Sequence, residues 1–227
     1  MAGHLQMRRA ARIAACLVLA GTLAGTLAGC GSDSDFGQLG GLLWGNVTSI
    51  GGEGASITRN QAAAISFASI GVRYASGPEA MLVLATKSGG ESEWLAGTQV
   101  SIITRAGRIV RTVGLPHNLS GVQGPLADTG PDAAPGSYHY LYDFAESRVF
   151  GVVVTCTQQD AGAESIAIIG ATHDTRHIVE KCHAPQLDWD FQNDFWKDAA
   201  TGAVLKSEQN VHPRAETVTI EVLRPEQ

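Results

Sequence analysis

An antiparallel β-meander with a short N-terminal helix is the fold that this 227-residue sequence predicts. Three observations carry it. Short runs rich in β-branched and aromatic residues recur from about residue 81 to the C-terminus. Turn-forming stretches with glycine separate them, and no long helix alternates with them, which argues against a parallel α/β sheet.

The elements follow in chain order. Thr58-Arg59-Asn60-Gln61, followed by an Ala-rich run, has the Thr-x-x-Gln form of a capping box and starts the short helix. Strands are expected over residues 81–86, 100–104, 109–113, 138–144, 149–155, 166–171 and 217–223. Lys87-Ser88-Gly89-Gly90, Arg105-Ala106-Gly107-Arg108 and Ala199-Ala200-Thr201-Gly202 sit where hairpins would reverse. In the last strand Val218, Ile220 and Val222 share one face and Thr217, Thr219 and Glu221 the other, as in a sheet with one wet side. Between Pro116 and Gly136 prolines and glycines recur, and a long loop is expected.

Ahead of this domain, expected over residues 58–227, lie two segments of different character. In residues 1–29, Arg8, Arg9 and Arg12 precede an apolar stretch of 15 residues, 13–27, and small residues follow. A charged head, apolar middle and small-residue exit build a secretory signal peptide. The stretch is short of the ~20 residues a spanning helix needs. Leu27-Ala28-Gly29-Cys30 has the form of a lipobox, in which Cys30 is acylated and becomes the first mature residue; the plainer alternative is a thiol in a signal peptide cut elsewhere. Gly31 and Ser32 follow, without the Asp that would mark inner-membrane retention, which points to the outer membrane of a Gram-negative cell. Residues 30–57, rich in Gly, Ser and Asp, read as a tether between the lipidated cysteine and the domain.

Composition narrows the partners. Taking three Arg from 16 Lys+Arg, against 22 Asp+Glu, leaves the mature chain at net charge −9. Such a surface is a poor match for nucleic acid or anionic lipid, so membrane attachment falls to the anchor. Cys156 and Cys182 remain after cleavage in an oxidising compartment. They form either a disulfide between neighbouring strands or two buried thiols. His173-Asp174-Thr175-Arg176-His177, even with His183 nearby, lacks the Glu of the zinc-protease helix motif and reads as a polar turn rather than a metal site. Phosphate-binding loops, dinucleotide fingerprints and nucleophile elbows do not occur; neither an enzyme nor a cofactor is expected.

Residues 187–198, LDWDFQNDFWKD, hold the densest aromatic run. Alternation puts Leu187, Trp189, Phe191 and Phe195 on one face and Asp188, Asp190, Asp194 and Trp196 on the other. This suits a core strand with an acidic outer face, or a sugar platform of aromatic rings and carboxylates. Trp196 is expected to pack, with Asn193 and Asp198 serving the hairpin around Gly202.

Asn193-Asp194-Phe195-Trp196-Lys197-Asp198, then Gly202-Ala203-Val204, then Lys206-Ser207-Glu208-Gln209, resemble the C-terminal signature of the group 4 capsule polysaccharide lipoprotein family (YjbF/GfcB type). Tyr74-Ala75, the run 81–85, Trp94, the block from Thr104 to Val110 and Asn118-Leu119 match as well. The chain departs from the family at Phe195, often Tyr there, and in its cysteine pair. The resemblance implies a meander curled into an open barrel. It also implies an outer-membrane lipoprotein that assists capsule or exopolysaccharide export without catalysis, alongside export proteins or the polysaccharide itself. Asn193, Trp196, Asp198, Gly202, Ser207 and Gln209 would be its structural or binding residues. A periplasmic carrier of a lipid or lipid-linked glycan in an apolar cavity is the alternative, because lipoprotein carriers share the barrel shape.

Overall fold

The computed structural model describes residues 56–75, 77–97, 99–127 and 136–226. The predicted signal peptide, Cys30 and nearly all of the tether lie outside the described residues. A short helix α1 (Arg59–Ala63) precedes twelve strands: β1 (Ser69–Tyr74), β2 (Glu79–Ser88), β3 (Glu91–Ala96), β4 (Val100–Arg105), β5 (Arg108–Val113) and β6 (Gly121–Ala127), then β7 (Ser137–Phe144), β8 (Val149–Ile168), β9 (Ala171–Ala184), β10 (Trp189–Asp198), β11 (Val204–Gln209) and β12 (Val218–Arg224). They form one antiparallel sheet in the order β5-β4-β3-β2-β1-β12-β11-β10-β9-β8-β7-β6. Every sequential neighbour is paired except β5 and β6. Pairing of β1 with β12 joins the two ends of the meander, and the sheet is nearly closed into a barrel.

The capping box forms as its sequence requires: the Thr58 side chain accepts from Gln61 N–H while the Gln61 side chain accepts from Thr58 N–H. The helix is held against the outside of the sheet, where Ile57 and Ala62 pack on Met81 and Val83. Ile57, read as the last tether residue, is buried there, and its N–H donates to Glu79 Oε2 at 2.7 Å. Gly71 makes room for that carboxylate, since a Cβ would lie 2.2 Å from Glu79 Oε1. The opposite phase of the same strands, Ile70 and Leu82, joins Ile102, Tyr140, Val154 and Val218 in the barrel interior. Each buried aliphatic side chain of this kind contributes about 1.5–3 kcal/mol of transfer free energy.

The structure departs from the sequence expectation in several places: β1, β3 and β11 lie outside the expected strand runs, and β8 continues from residue 155 to Ile168. Residues 121–127, expected as loop, form β6, an edge strand, where glycine and proline are tolerated because one side of the ladder is unpaired. Residues 166–171 are not one strand: Ile169 (φ 41°) and Gly170 (φ 77°) form the β8–β9 turn. A β-branched residue at positive φ hid that turn. His173–His177, expected as a polar turn, lies inside β9, and the absence of an apolar face obscured a strand that is wet on one side. At a four-residue spacing along a strand the two rings are roughly 13 Å apart.

Candidate functional site

The β4–β5 hairpin organises one end of the interior. Its turn, Ala106 (φ 48°) and Gly107 (φ 82°), has the two positive φ values of the tight hairpins that suit strand twist. At Gly107 the chain comes so close to β11 that a Cβ would lie 2.5 Å from the Val204 side chain. Gln209 holds the hairpin from β11. Its Oε1 accepts from Ile109 N–H at 2.9 Å, and its Nε2 donates to the Gly107 carbonyl and to Ser207 Oγ, both at 2.8 Å. Gln209 and Ser207 are buried, so a lost partner would cost about 1–3 kcal/mol.

Arg108, the first residue of β5, reaches from this clamp to β9. Its Nη2 donates to Glu180 Oε1 at 2.6 Å, and its guanidinium lies 4.3 Å from the ring centroid of Tyr140 and 5.2 Å from that of Phe195. Glu180 is fully buried. It also accepts from the Tyr140 hydroxyl at 3.3 Å, Gln158 Nε2 at 3.0 Å and Asn193 Nδ2 at 3.0 Å. Burial opposes its ionisation. The charge of Arg108 and the hydrogen bonds from Arg108, Gln158 and Asn193 outweigh that, and the carboxyl is held below its ordinary range. Burial pushes the Tyr140 hydroxyl upward against the opposing charge of Arg108. The second terminal nitrogen, Arg108 Nη1, is buried without a partner of regular hydrogen-bond geometry, and the Tyr142 hydroxyl lies near enough to accept a hydrogen bond from the guanidinium.

Two cavities flank the hairpin. One, of about 330 Å³, lies between the hairpin, the β10–β11 turn and the C-terminal residues, with Ile70, Trp94, Ile220 and Val222 among its apolar walls. The other, of about 260 Å³, lies where the barrel fails to close, between β5–β6 and β7–β10. Arg105, Arg108 and Lys197 line it together with Tyr140, Gln158 and Phe195.

The family-signature residues are distributed over this end of the barrel. Asn193 faces inward: it donates to Glu180, and its Oδ1 accepts from Asn210 N–H at 2.8 Å. The hairpin around Gly202 (φ 74°) is served by Asp198 alone of the two expected residues. Its Oδ1 accepts from Thr201 N–H at 2.8 Å, Thr201 Oγ1 at 2.7 Å and Ala200 N–H at 3.2 Å. These bonds, those from Thr201 first, lower the Asp198 carboxyl below its usual range. Trp196 lies on the outer face of β10, yet only 7 % of it is exposed. Its ring stacks on His177 at 4.6 Å and carries the Lys206 ammonium at 4.7 Å. His177 in turn is held by Asp194 at 2.8 Å and Glu164 at 3.1 Å.

Cys156 and Cys182 form a disulfide between directly paired residues of β8 and β9, both buried. Among the described residues they are also, with Glu180, the potential metal-ligand atoms that cluster, but the sulfurs are bonded to each other and the carboxylate to Arg108. Arg108, Glu180, Tyr140 and Gln158 were not singled out from sequence. One signal was available, since Glu180 falls in phase with Ile178, Cys182 and Ala184 along β9, a charge in an inward register.

The comparisons agree with this architecture. Residues 38–223 match the family model described as group 4 capsule polysaccharide lipoprotein gfcB, YjbF. The chain is 30% identical over 208 residues to the uncharacterized lipoprotein YjbF of Escherichia coli K12, covering 89% of this chain and 91% of that protein. It is 25% identical over 176 residues to the uncharacterized lipoprotein GfcB of the same organism, covering 75% and 82%. The crystal structure of the hypothetical lipoprotein YmcC from E. coli K12 is similar, with a TM-score of 0.64 and 25% identity over 75% of this chain and 90% of that one. The chain belongs to the group 4 capsule polysaccharide lipoprotein family.

Proposed function

We propose that this protein is an outer-membrane lipoprotein, acylated at Cys30, whose β domain faces the periplasm and assists capsule or exopolysaccharide export without catalysing a reaction. The family supports the link to capsule, and the lipobox supports the anchor. One observation favours a scaffold over a lipid carrier. A carrier of this shape needs an apolar tunnel, whereas here the interior is crossed by the Gln209 clamp and the Arg108–Glu180 pair. Among the described residues, the two cavities that flank the hairpin, about 330 and 260 Å³, fall near or below the lower end of the ~300–1,000 Å³ range of small-molecule sites. The domain then acts by position and surface, held beneath the membrane by its lipid.

A chromosomal Cys30→Ser substitution tests this. The variant should fold, leave the membrane fraction and abolish polymer secretion. Normal secretion from that strain would remove membrane attachment from the mechanism. A native mass spectrum of the purified protein carrying bound lipid in stoichiometric amount would replace the scaffold with the carrier.

A further inference from the structure

We infer that the cavity at the barrel's open seam is a subsite for one carboxylate-bearing sugar residue of an acidic polysaccharide. The ligand class rests on the export reading above; the site itself rests on geometry. The cavity lies between the two sheet edges, where the ladder is interrupted, and is reached from solvent between β5–β6 and β7–β10. Three cations line it, Arg105, Arg108 and Lys197. Arg105 is paired with Glu91 and Arg108 with Glu180, but among the described residues Lys197 has no ion-pair partner. One positive charge is therefore left over, which suits a monoanion better than the dianion of a phosphate.

A donor is left over as well. Arg108 Nη1 is buried and carries two N–H groups, of which the Tyr142 hydroxyl can take one, and the open N–H of a buried guanidinium is what a carboxylate oxygen satisfies. The Glu180 network fixes the guanidinium in place, so little side-chain freedom is lost on binding. The remaining walls, Val110, Pro125, Ile178, Phe195 and Val204, offer apolar surface to the C–H face of a ring rather than to a bare ion. About 260 Å³ limits the occupant to a single residue of a chain, with the polymer continuing outside the seam.

The test uses the full-length lipidated protein in detergent, titrated by ligand-observed NMR with D-glucuronate, D-glucose and inorganic phosphate. Glucuronate should bind, and glucose and phosphate should bind at least about tenfold more weakly, the equivalent of one charge-assisted hydrogen bond. Lys197→Gln and Arg108→Lys should each weaken glucuronate about tenfold for the same reason. Lys197→Gln should keep the wild-type melting temperature, which separates loss of the site from loss of the fold. Absent glucuronate binding, phosphate binding of equal strength, or undiminished binding in both variants would overturn the assignment. Failure here leaves the Cys30→Ser secretion result untouched, so the site and the export role stand or fall separately.

Discussion

Two layers of the barrel interior lie side by side on the same strands and are built from opposite materials. On one side of the Cys156–Cys182 bond, Tyr142, Phe144, Trp189 and Phe191 form an aromatic cluster, with Trp189 and Phe191 stacked at 3.9 Å and Phe144 set edge-on to His212 at 4.9 Å. On the other, one step further along β8, β9 and β10, Gln158, Glu180 and Asn193 stand in register and converge on Arg108. The aromatic layer tolerates imperfect geometry because dispersion and burial are non-directional. The polar layer holds only while each member has its partner. Its value lies in where it holds β5, more than in net stability, since a buried ion pair often barely repays its desolvation.

The largest expected effect follows from removing one member of the polar layer. Arg108→Met leaves Glu180 buried and uncompensated, which should cost about 3–5 kcal/mol. Adding Glu180→Leu to it should recover most of that loss in urea unfolding. If the double variant is no better than the single, the two layers do not differ as described.

The disulfide between the layers comes next. Replacing both Cys156 and Cys182 with Ser should lower stability by about 2–4 kcal/mol. Native protein should show neither thiol free to alkylating reagent. Two alkylated cysteines in folded protein would remove the bond from the account.

The smallest effect, and the one that separates the layers, is pH. His212, in the aromatic layer, is held below the ordinary histidine range, first by burial and then by the charges of His117 and Arg214. Its unfolded form therefore binds more protons, so its contribution is present above about pH 6.5 and is lost as pH falls from there through the folded value. Glu180, also held low, contributes above about pH 4.3 and loses that contribution as pH falls through its folded value. Urea midpoints should thus fall in two separate steps on acidification. His212→Phe should flatten the upper step alone, and Glu180→Gln should reduce the lower alone, which Asp198 shares; a single step, or reduction of both in either variant, would show that the layers are coupled.

Much of the architecture was decided locally. Thr58 and Gln61 specify a helix start by mutual hydrogen bonds three residues apart, and Ala106-Gly107 and Gly89-Gly90 specify turns by backbone sterics. Alternation along 218–222 and 189–195 assigned inward and outward faces, because the side-chain period of a strand is two residues whatever it packs against. The resemblance carried the barrel and the family. What pairs with what across the barrel was not decided in this way. Arg108 and Glu180 are 72 residues apart, and Ile109 and Gln209 are 100 apart. Nothing near either partner encodes the other. Trp196 makes the same point on the outer face: alternation places it toward solvent, and it is buried only because β9 and β11 bring His177 and Lys206 to its two sides. A local pattern is set by the geometry of one strand, whereas a buried polar partner is set by closure of the whole sheet, which brings β5 against β9 and β11 only after every intervening strand has taken its register.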